Sequence, residues 1–343
     1  MIHSASQSAE TVTMGSGPVR NSKGVDSEWD SYAMCDFDGQ PAWDRDGLNP
    51  GGAIVRLLSW NVQGSVPPAG SKDRIRNQVS FIGEQLDQPD IVMLNEVTTA
   101  QRELWLDLLR EEQGYTEIVD TLDWGQELRE SNIPPHHEFI HTSGQITAVH
   151  EDADVGDLER RRPSIRNGPW ESSEMKDWST NFPEKILNSE VQIAGQSVDL
   201  WNVRTVPGSM YGEEKIKILE NVYARITKSN PERCILAGDL NIPNAERADG
   251  TVVSWGEDKP ESIRERWISA ELDVMTGLSE VGLVDAFRYI HGYGDLDTED
   301  TSHESRRIDH IFASESLNPE RCWYDPAGYE CSDHAPMLME FSV

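Results

Sequence analysis

The chain has 343 residues, of which 37% are hydrophobic, and this is enough for one large domain or two ordinary domains with a buried core. Asp and Glu outnumber Lys and Arg by 61 to 30, which gives a net charge of -31. No apolar run reaches the roughly 18 residues that a membrane span needs, and residues 1–20 lack the apolar centre of a secretory signal. Neither a membrane protein nor a secreted protein is therefore expected.

The negative charge leaves two interpretations of the substrate open. At low salt, a field of this sign repels a polyanion such as nucleic acid. Either the substrate is not a nucleic acid, or the protein works in molar salt, where the Debye length falls to about 3 Å. The basic residues are 8 Lys and 22 Arg, and this scarcity of lysine among many acidic residues resembles halophilic proteins. High salt is the favoured interpretation.

The cysteines indicate a reducing compartment. Cys35, Cys234, Cys322 and Cys331 are sparse and lack the spacing of metal ligands. They are typical of free thiols, although a pairing of Cys322 with Cys331 stays open. We expect a cytoplasmic monomer that does not bind membranes.

The first fifty residues differ in composition from the rest. Residues 1–25 are rich in Ser, Thr and Gly and are predicted to be a disordered tail. Residues 26–53 are acidic with interspersed aromatic residues, which we expect to hold this extension against the domain. Residues 54–343 form the predicted domain.

Strands and helices alternate at the start of this domain. Apolar runs at 54–64 and 90–96 predict buried strands, and each run ends in polar residues. Apolar residues at spacings of three and four predict helices across 75–86 and 104–109. This alternation indicates an α/β fold.

A loop-rich insertion is predicted at about 121–183, where the chain is polar and its periodicity is weak. A short strand is predicted within it at 145–149. The insertion also contains a cluster of basic residues, Arg160, Arg161, Arg162 and Arg166. This cluster either holds phosphates of the substrate or forms a solvated face that neutralises nearby carboxylates, and both interpretations stay open.

The second half of the domain repeats the alternation. A hairpin is predicted at 191–200, around the turn Ala194-Gly195-Gln196. Helices are predicted around 216–226 and 262–278. Strand-like apolar runs lie at 234–241, 283–288, 307–312 and 337–343.

A set of polar residues interrupts or borders the apolar runs. Strand ends of a layered sheet lie along one rim, so residues that are distant in sequence can converge there. Carboxylate oxygens suit Mg²⁺ or Mn²⁺, an Asp can deprotonate a water, and a His paired with an Asp can donate to a phosphate. The pattern predicts metal-assisted phosphoester hydrolysis by Asn61, Glu96, Asp239, Asn241, Asp309, Asp333 and His334.

The order of these motifs resembles the endonuclease/exonuclease/phosphatase superfamily, which includes exonuclease III, apurinic endonucleases and pancreatic deoxyribonuclease. The motifs are diagnostic as a set and weak singly. The resemblance implies a four-layer α/β/β/α sandwich of two packed mixed sheets flanked by helices, a Mg²⁺ site and phosphoester hydrolysis. It rests on Trp60-Asn61, Leu94-Asn95-Glu96, Gly238-Asp239-Leu240-Asn241, Arg307-Ile308-Asp309-His310 and Ser332-Asp333-His334-Ala335-Pro336.

The resemblance also implies a metal site. Glu96 matches the metal ligand, with Asn61 beside it, and Asp333 is expected near the metal or near the adjacent histidine. Nucleases of this family often carry Asp two residues after the asparagine, but this chain has Gln63 there.

The remaining motifs imply the catalytic groups. Asp239 matches the residue that aligns or deprotonates the attacking water, and Asn241 matches the one that binds the scissile phosphate. His334 is expected to contact the phosphate and to be oriented by Asp309. Related enzymes place His or Tyr where this chain has Arg204, which either grips the phosphate or pairs with a neighbouring carboxylate such as that of Glu96.

These features predict a Mg²⁺-dependent phosphodiesterase, with Mn²⁺ as a possible substitute, that acts as a nuclease on DNA. Two alternatives stay open. One is a phosphatase or diesterase that acts on a small or lipid phosphate. The other is a catalytically inactive binding module of the same fold.

The charge generates the first testable prediction. At low ionic strength the excess of negative charge destabilises the compact state through self-repulsion, so we expect the melting midpoint to rise from dilute buffer to molar KCl. Thermal melts at graded KCl concentrations measure this effect. A flat or falling midpoint would remove the high-salt interpretation.

Overall fold

Two mixed β-sheets form the centre of the fold in a computed structural model that describes residues 54–64, 71–85, 88–123, 143–161, 180–208 and 211–343. The predicted tail at 1–25 and extension at 26–53 lie outside the described residues. The first sheet contains β1 (Ile54–Asn61), β2 (Ile91–Thr98), β3 (Tyr115–Asp120), β4 (Ser143–His150), β13 (Pro319–Tyr324) and β14 (Met337–Ser342). The second sheet contains β5 (Val155–Arg160), β6 (Ile186–Ile193), β7 (Gln196–Val203), β8 (Cys234–Asp239), β11 (Leu283–Asp285) and β12 (Asp309–Ser314).

The other elements are helices and a short ribbon. The ribbon pairs β9 (Ala245–Glu246) with β10 (Val252–Val253). The helices are α1 (Lys72–Gly83), α2 (Arg102–Glu111), α3 (Glu214–Ser229), α4 (Glu261–Met275) and α5 (Ala286–His291). None of the described helices is long and apolar enough to cross a membrane.

The two sheets follow the same pairing pattern. Their strand orders are β13-β14-β1-β2-β4-β3 and β11-β12-β8-β7-β6-β5. Each sheet has one parallel pair at its centre, β1 with β2 and β7 with β8, and antiparallel pairs elsewhere. The parallel pairs explain why a helix follows β1 and β7, since the chain must return to the same end of the sheet.

Three apolar clusters fill the spaces between the layers. The central cluster lies between the sheets and includes Leu57 and Met93 from the first sheet and Leu200 and Ile235 from the second. Another cluster packs the outer face of the first sheet against α1 and α2. The third packs the outer face of the second sheet against α3 and α4. The predicted four-layer α/β/β/α sandwich is confirmed.

Most predicted elements occur where the periodicity places them. The turn of the predicted hairpin joins β6 to β7, with φ angles of 49° at Ala194 and 76° at Gly195. Two adjacent left-handed residues suit the right-handed twist of a hairpin, which explains why Gly is placed here. Cys234, Cys322 and Cys331 are free thiols, as expected.

The prediction of loops at 121–183 needs correction within the described residues. Residues 143–150 form β4, which lies between β2 and β3 in the first sheet, and residues 155–160 form β5. The predicted strand at 145–149 is the core of β4. Residues 143–149 are all buried, and the polar side chains that alternate with Ile146 and Ala148, such as Gln145, hydrogen-bond inside the fold, so their polarity does not indicate exposure to solvent. Residues 124–142 and 162–179 lie outside the described residues.

A buried ion network joins the ribbon, α5 and β12. Glu246 accepts from Arg288 Nε at 2.5 Å and from Arg307 Nε at 3.0 Å. Arg307 also pairs with Asp285, whose side chain caps α5 by accepting from the backbone of Phe287. Burial would raise the pKa of Asp285, but the Arg307 guanidinium and the His310 ring hold it well below its usual range.

We expect Arg307→Met to lower the free energy of unfolding by about 3–5 kcal/mol, because it leaves two buried carboxylates without their shared cation. Urea denaturation measures the change. The matched control is Arg266→Met, which removes an exposed arginine paired with Glu213 and Glu220 and should cost about 0–1 kcal/mol. Equal losses in the two variants would contradict a structural role for the network.

Candidate active site

The site lies where inward-facing rows of both sheets end in polar residues. Side chains alternate between the two faces of a strand, so every second residue of these strands points into the space between the two sheets. The inward residue at the end of a strand therefore lies at the edge of this space, which we call the rim. In the first sheet these last residues are Asn61 on β1 and Asn95 on β2, which are opposite each other in the register. In the second sheet the rim residues are Asp239, the last residue of β8, and Asp309, the first residue of the antiparallel β12, and these two are also opposite each other.

Asp239 is the centre of the cluster. Its Oδ2 accepts from Asn61 Nδ2 at 2.9 Å and from Asn241 Nδ2 at 3.0 Å, and its Oδ1 accepts from the backbone N–H of Asn241 at 3.0 Å. Burial raises the pKa of Asp239, Asp309 raises it further, and His334 and Arg204 lower it in part, so that it is about 6. A carboxylate with such a pKa can accept a proton from water near neutral pH.

His334 and Asp309 form a buried pair. His334 Nδ1 lies 2.7 Å from Asp309 Oδ2, and the indole N–H of Trp60 donates to the backbone carbonyl of His334 at 2.8 Å. The backbone N–H of Asp309 donates to Ser302 Oγ at 3.0 Å. Burial lowers the pKa of His334, but the Asp309 carboxylate outweighs this effect and raises it to about 10. His334 is therefore an imidazolium, which can donate to an anion.

The backbone aims Glu96 at the same rim. Regular alternation would turn this side chain toward the helix layer, but the register shifts between Leu94 and Val97, and Glu96 has a left-handed φ of 58°. A Cβ at Gly64 would lie 1.8 Å from the carbonyl oxygen of Glu96, so only glycine permits this approach. Asn61 Nδ2 lies 3.3 Å from Glu96 Oε1.

Arg204 contacts the carboxylates of the site. Its NH2 group pairs with Glu96 Oε1, and its Nε lies 3.7 Å from Asp239 Oδ2. Burial would raise the pKa of Glu96, but Arg204 outweighs it, with help from Lys185 and His334, and lowers it to about 2. Of the two interpretations of Arg204, the structure contains the pairing with Glu96.

The residues at the rim offer oxygen ligands for a divalent cation. Among the described residues, Asp333 Oδ1 is buried and has no hydrogen-bond partner, and it lies 3.9 Å from His334 Nε2. Carboxylate oxygens of Asp239 and Asp309 lie within 4.8 Å of each other and of a ring nitrogen of His334, which as an imidazolium is not itself a metal ligand. With the ionised Glu96 beside them, these carboxylates fit the oxygen preference of Mg²⁺ and Mn²⁺.

Two predicted substrate-binding arginines have partners elsewhere. Arg160 donates to the backbone carbonyl of Asp120 at 2.8 Å. Arg161 pairs with Glu190 and with Asp199, which is in register with the first residue of β8 rather than with Asp239 at its last. Arg162 and Arg166 lie outside the described residues, so the role of this cluster in substrate binding stays a prediction.

Sequence patterns did not identify the amides behind the site. Asn95 Oδ1 accepts from the backbone N–H of Asp239 at 2.8 Å. Its Nδ2 donates to Gln145 Oε1 at 3.0 Å and to Asn202 Oδ1 at 2.5 Å. Asn95 belongs to the motif Leu94-Asn95-Glu96, but the sequence does not indicate that its side chain points toward the second sheet.

Two further neighbours were also missed. The His303 ring stacks on that of His334 with centroids 4.4 Å apart, and its Nδ1 lies 2.8 Å from the backbone carbonyl of Asp333. The buried Lys215 donates to the backbone carbonyl of Asn241 at 2.8 Å. Asn241 has a left-handed φ of 52°, and this contact supports it.

Residues 58–334 match the profile of the Endonuclease/Exonuclease/phosphatase family. The chain belongs to this family. Family membership supports phosphoester hydrolysis as the general activity of the chain. Comparison with curated protein sequences finds no significant match.

Solved structures of this family share the fold. D. rerio TDP2 in complex with a single-strand DNA product is 16% identical over 85% of this chain and 100% of its own, with a TM-score of 0.51. The AP endonuclease LMAP from Leishmania major is 16% identical over 84% of this chain and 88% of its own, with a TM-score of 0.52. An endonuclease/exonuclease/phosphatase from Bacteroides vulgatus is 15% identical over 85% of this chain and 99% of its own, also with a TM-score of 0.52.

We expect Asn95→Ala to destabilise the protein and to lower its turnover. The change leaves the backbone N–H of Asp239 and the side-chain oxygens of Asn202 and Gln145 without their partner, at about 1–3 kcal/mol for each group. Urea denaturation and kcat are the measurements. The control is Asn221→Ala on α3, where the amide bonds the carbonyl of Lys217 one turn away. Similar stability of both variants would show that the Asn95 bridge is not required.

Proposed function

We propose that the protein is a Mg²⁺-dependent phosphodiesterase and that DNA is its substrate. The observation that supports this most is the set of cationic side chains that lie among the carboxylates of the rim in an acidic protein. Arg204, Lys185 and His334 all act electrostatically on Glu96, and Arg74 is attracted to both Asp333 and Glu96. Cations placed on a catalytic rim attract a phosphate even where the net charge is negative.

Two residues perform the proton chemistry in this proposal. Asp239 takes a proton from the water that attacks phosphorus, and its amide partners Asn61 and Asn241 hold the carboxylate in place. As the bond from the water oxygen to phosphorus forms, the P–O bond to the leaving group breaks, and the released oxygen takes a proton from solvent. The imidazolium of His334 donates to a phosphoryl oxygen and stabilises the charge that develops on it. Asp309 orients the His334 ring and keeps it protonated.

The oxygen ligands at the rim would hold Mg²⁺ or Mn²⁺ through Glu96, with Asp333 close by. When bound, the ion supplies positive charge that offsets the charge on the phosphoryl oxygens. A groove of about 370 Å³ lies beside Asp333 and is lined in part by Gln63, Arg74 and Tyr329. Its position suits the part of the substrate next to the scissile phosphate.

Nucleic acid is favoured over a small phosphoester for two reasons. The fold is shared with D. rerio TDP2, whose structure contains a single-strand DNA product. The predicted adaptation to high salt would also remove the long-range repulsion between the acidic surface and a polyanion. The net charge of -31 favours the alternative, a small or lipid phosphate, if the protein works at low salt.

A panel of DNA, abasic DNA, RNA and small phosphoesters, assayed at graded KCl, tests this choice. If DNA is the substrate, kcat/KM on DNA should exceed that on small phosphoesters and should persist at molar salt. Activity confined to small phosphoesters at every salt concentration would show that the substrate is a small phosphoester and not DNA.

We expect EDTA and Glu96→Gln each to abolish hydrolysis, with an unchanged far-UV circular dichroism spectrum for the variant, although its melting midpoint falls because Arg204 loses a buried partner. The substitution removes the charge that holds the cation and keeps the volume of the side chain. Added Mn²⁺ should restore the EDTA-treated wild type and not the variant. Near wild-type turnover in EDTA or in Glu96→Gln would overturn the proposed metal site.

His334→Ala should lower kcat by about 10²–10⁴, the range for loss of a positioned acid or donor. Asp309→Asn should lower kcat by less than His334→Ala does, because the imidazole stays in place and loses only its fixed orientation and the carboxylate that favours its charged form. Steady-state kinetics measure both variants. The control is His291→Ala, whose ring contacts the backbone carbonyl of Cys322 instead of the rim. Unchanged kinetics for His334→Ala would make this pair structural.

A further inference from the structure

The Arg204 guanidinium lies on the carboxylate that is proposed to hold the metal. Arg204 follows β7 directly, and its backbone N–H donates to the carbonyl of Lys185 at 2.9 Å, which fixes the start of the side chain. The Arg204 side chain is 11% exposed, and its guanidinium pairs with Glu96 Oε1. Asn61 Nδ2 also lies 3.3 Å from this oxygen, so two donors converge on one ligand atom.

The charges at this point are nearly balanced without any added ion. Arg204 brings one positive charge to the ionised Glu96, and its Nε lies 3.7 Å from Asp239 Oδ2. A divalent cation binds best where carboxylate charge is uncompensated, since Coulomb attraction drives its binding. The neutral Gln63, whose backbone N–H donates to Asn61 Oδ1 at 2.9 Å, adds no negative charge to the rim.

We propose that Arg204 competes with the divalent cation for Glu96 and transfers to the substrate phosphate when the cation binds. The inference rests on the proposed function. In it, the two interpretations of Arg204, pairing with Glu96 and binding the phosphate, are two states of the same side chain. A guanidinium donates to carboxylate and to phosphate oxygens through the same N–H groups, so Arg204 can exchange one anionic partner for the other.

Two consequences follow from this exchange. The wild-type protein binds the cation more weakly than its carboxylates alone would, because Arg204 must first leave Glu96. Cation and phosphate strengthen each other's binding, because each favours the state in which Arg204 has left Glu96, and this coupling is reciprocal.

Mn²⁺ titrations followed by electron paramagnetic resonance test the first consequence without any turnover. We expect Arg204→Met to bind Mn²⁺ at least about tenfold more tightly than the wild type, a difference of about 1.4 kcal/mol. Arg204→Gln is a second neutral variant in case the first does not fold, and it should show the same tightening. The matched control is Arg266→Met, which removes the same charge from an exposed pair and should leave the affinity within about twofold.

The Glu96→Gln variant separates the two proposals. If it binds Mn²⁺ as tightly as the wild type, the metal site lies elsewhere and the proposed function is wrong at this point. If Glu96→Gln no longer binds Mn²⁺ while both Arg204 variants bind it with the affinity of the wild type, only the competition by Arg204 is overturned.

The second consequence is tested in the wild type itself. A dinucleotide with a phosphorothioate linkage should raise the affinity for Mn²⁺, and this gain should be smaller in Arg204→Met, where only direct contact between phosphate and cation remains. An equal gain in both proteins would show that Arg204 does not transfer to the phosphate and would overturn the inference.

Discussion

The hydrogen bonds of the Asn95 side chain join the two sheets at the rim, and the geometry of the site depends on them. The amide accepts from Asp239 in the second sheet and donates to Asn202 in the same sheet and to Gln145 in its own. A buried amide is costly to leave unpaired, so these bonds favour one alignment of the sheets. That alignment brings Asn61 of the first sheet within 2.9 Å of Asp239.

The electrostatics of the rim assign different roles to chemically similar groups. Arg204 lowers the pKa of Glu96 to about 2, against the effect of burial, so this carboxylate stays charged and suits a cation. Burial and Asp309 raise the pKa of Asp239 to about 6, which suits a proton acceptor. Asp309 in turn keeps His334 protonated. Carboxylates with pKa values displaced in opposite directions are typical of sites that combine charge stabilisation with proton transfer.

Local periodicity predicted the elements whose sequence pattern is clear, such as a helix with one buried face or a tight hairpin turn. The helix spacing across 75–86 and the turn at Ala194-Gly195-Gln196 correspond to α1, which ends at Gly83, and to the β6–β7 hairpin. Periodicity located only the middle of β4, at 145–149, and it missed β5, because the polar side chains of β4 are buried between the sheets and give this region the composition of a loop. These side chains are satisfied by partners such as the carbonyl of Lys185, which is 40 residues away from Gln145 in the chain.

The sequence by itself determined the fold class and which strands end in polar residues, because alternation along a strand and spacing along a helix are local properties. It therefore identified Glu96, Asp239, Asp309 and His334 as candidates. Only the tertiary structure decided how these residues meet. The bond from Asp239 to Asn95 links residues 144 positions apart, and the pairing of Arg204 with Glu96 joins the two sheets. Such contacts depend on the stacking of two complete sheets, which no short segment of sequence encodes.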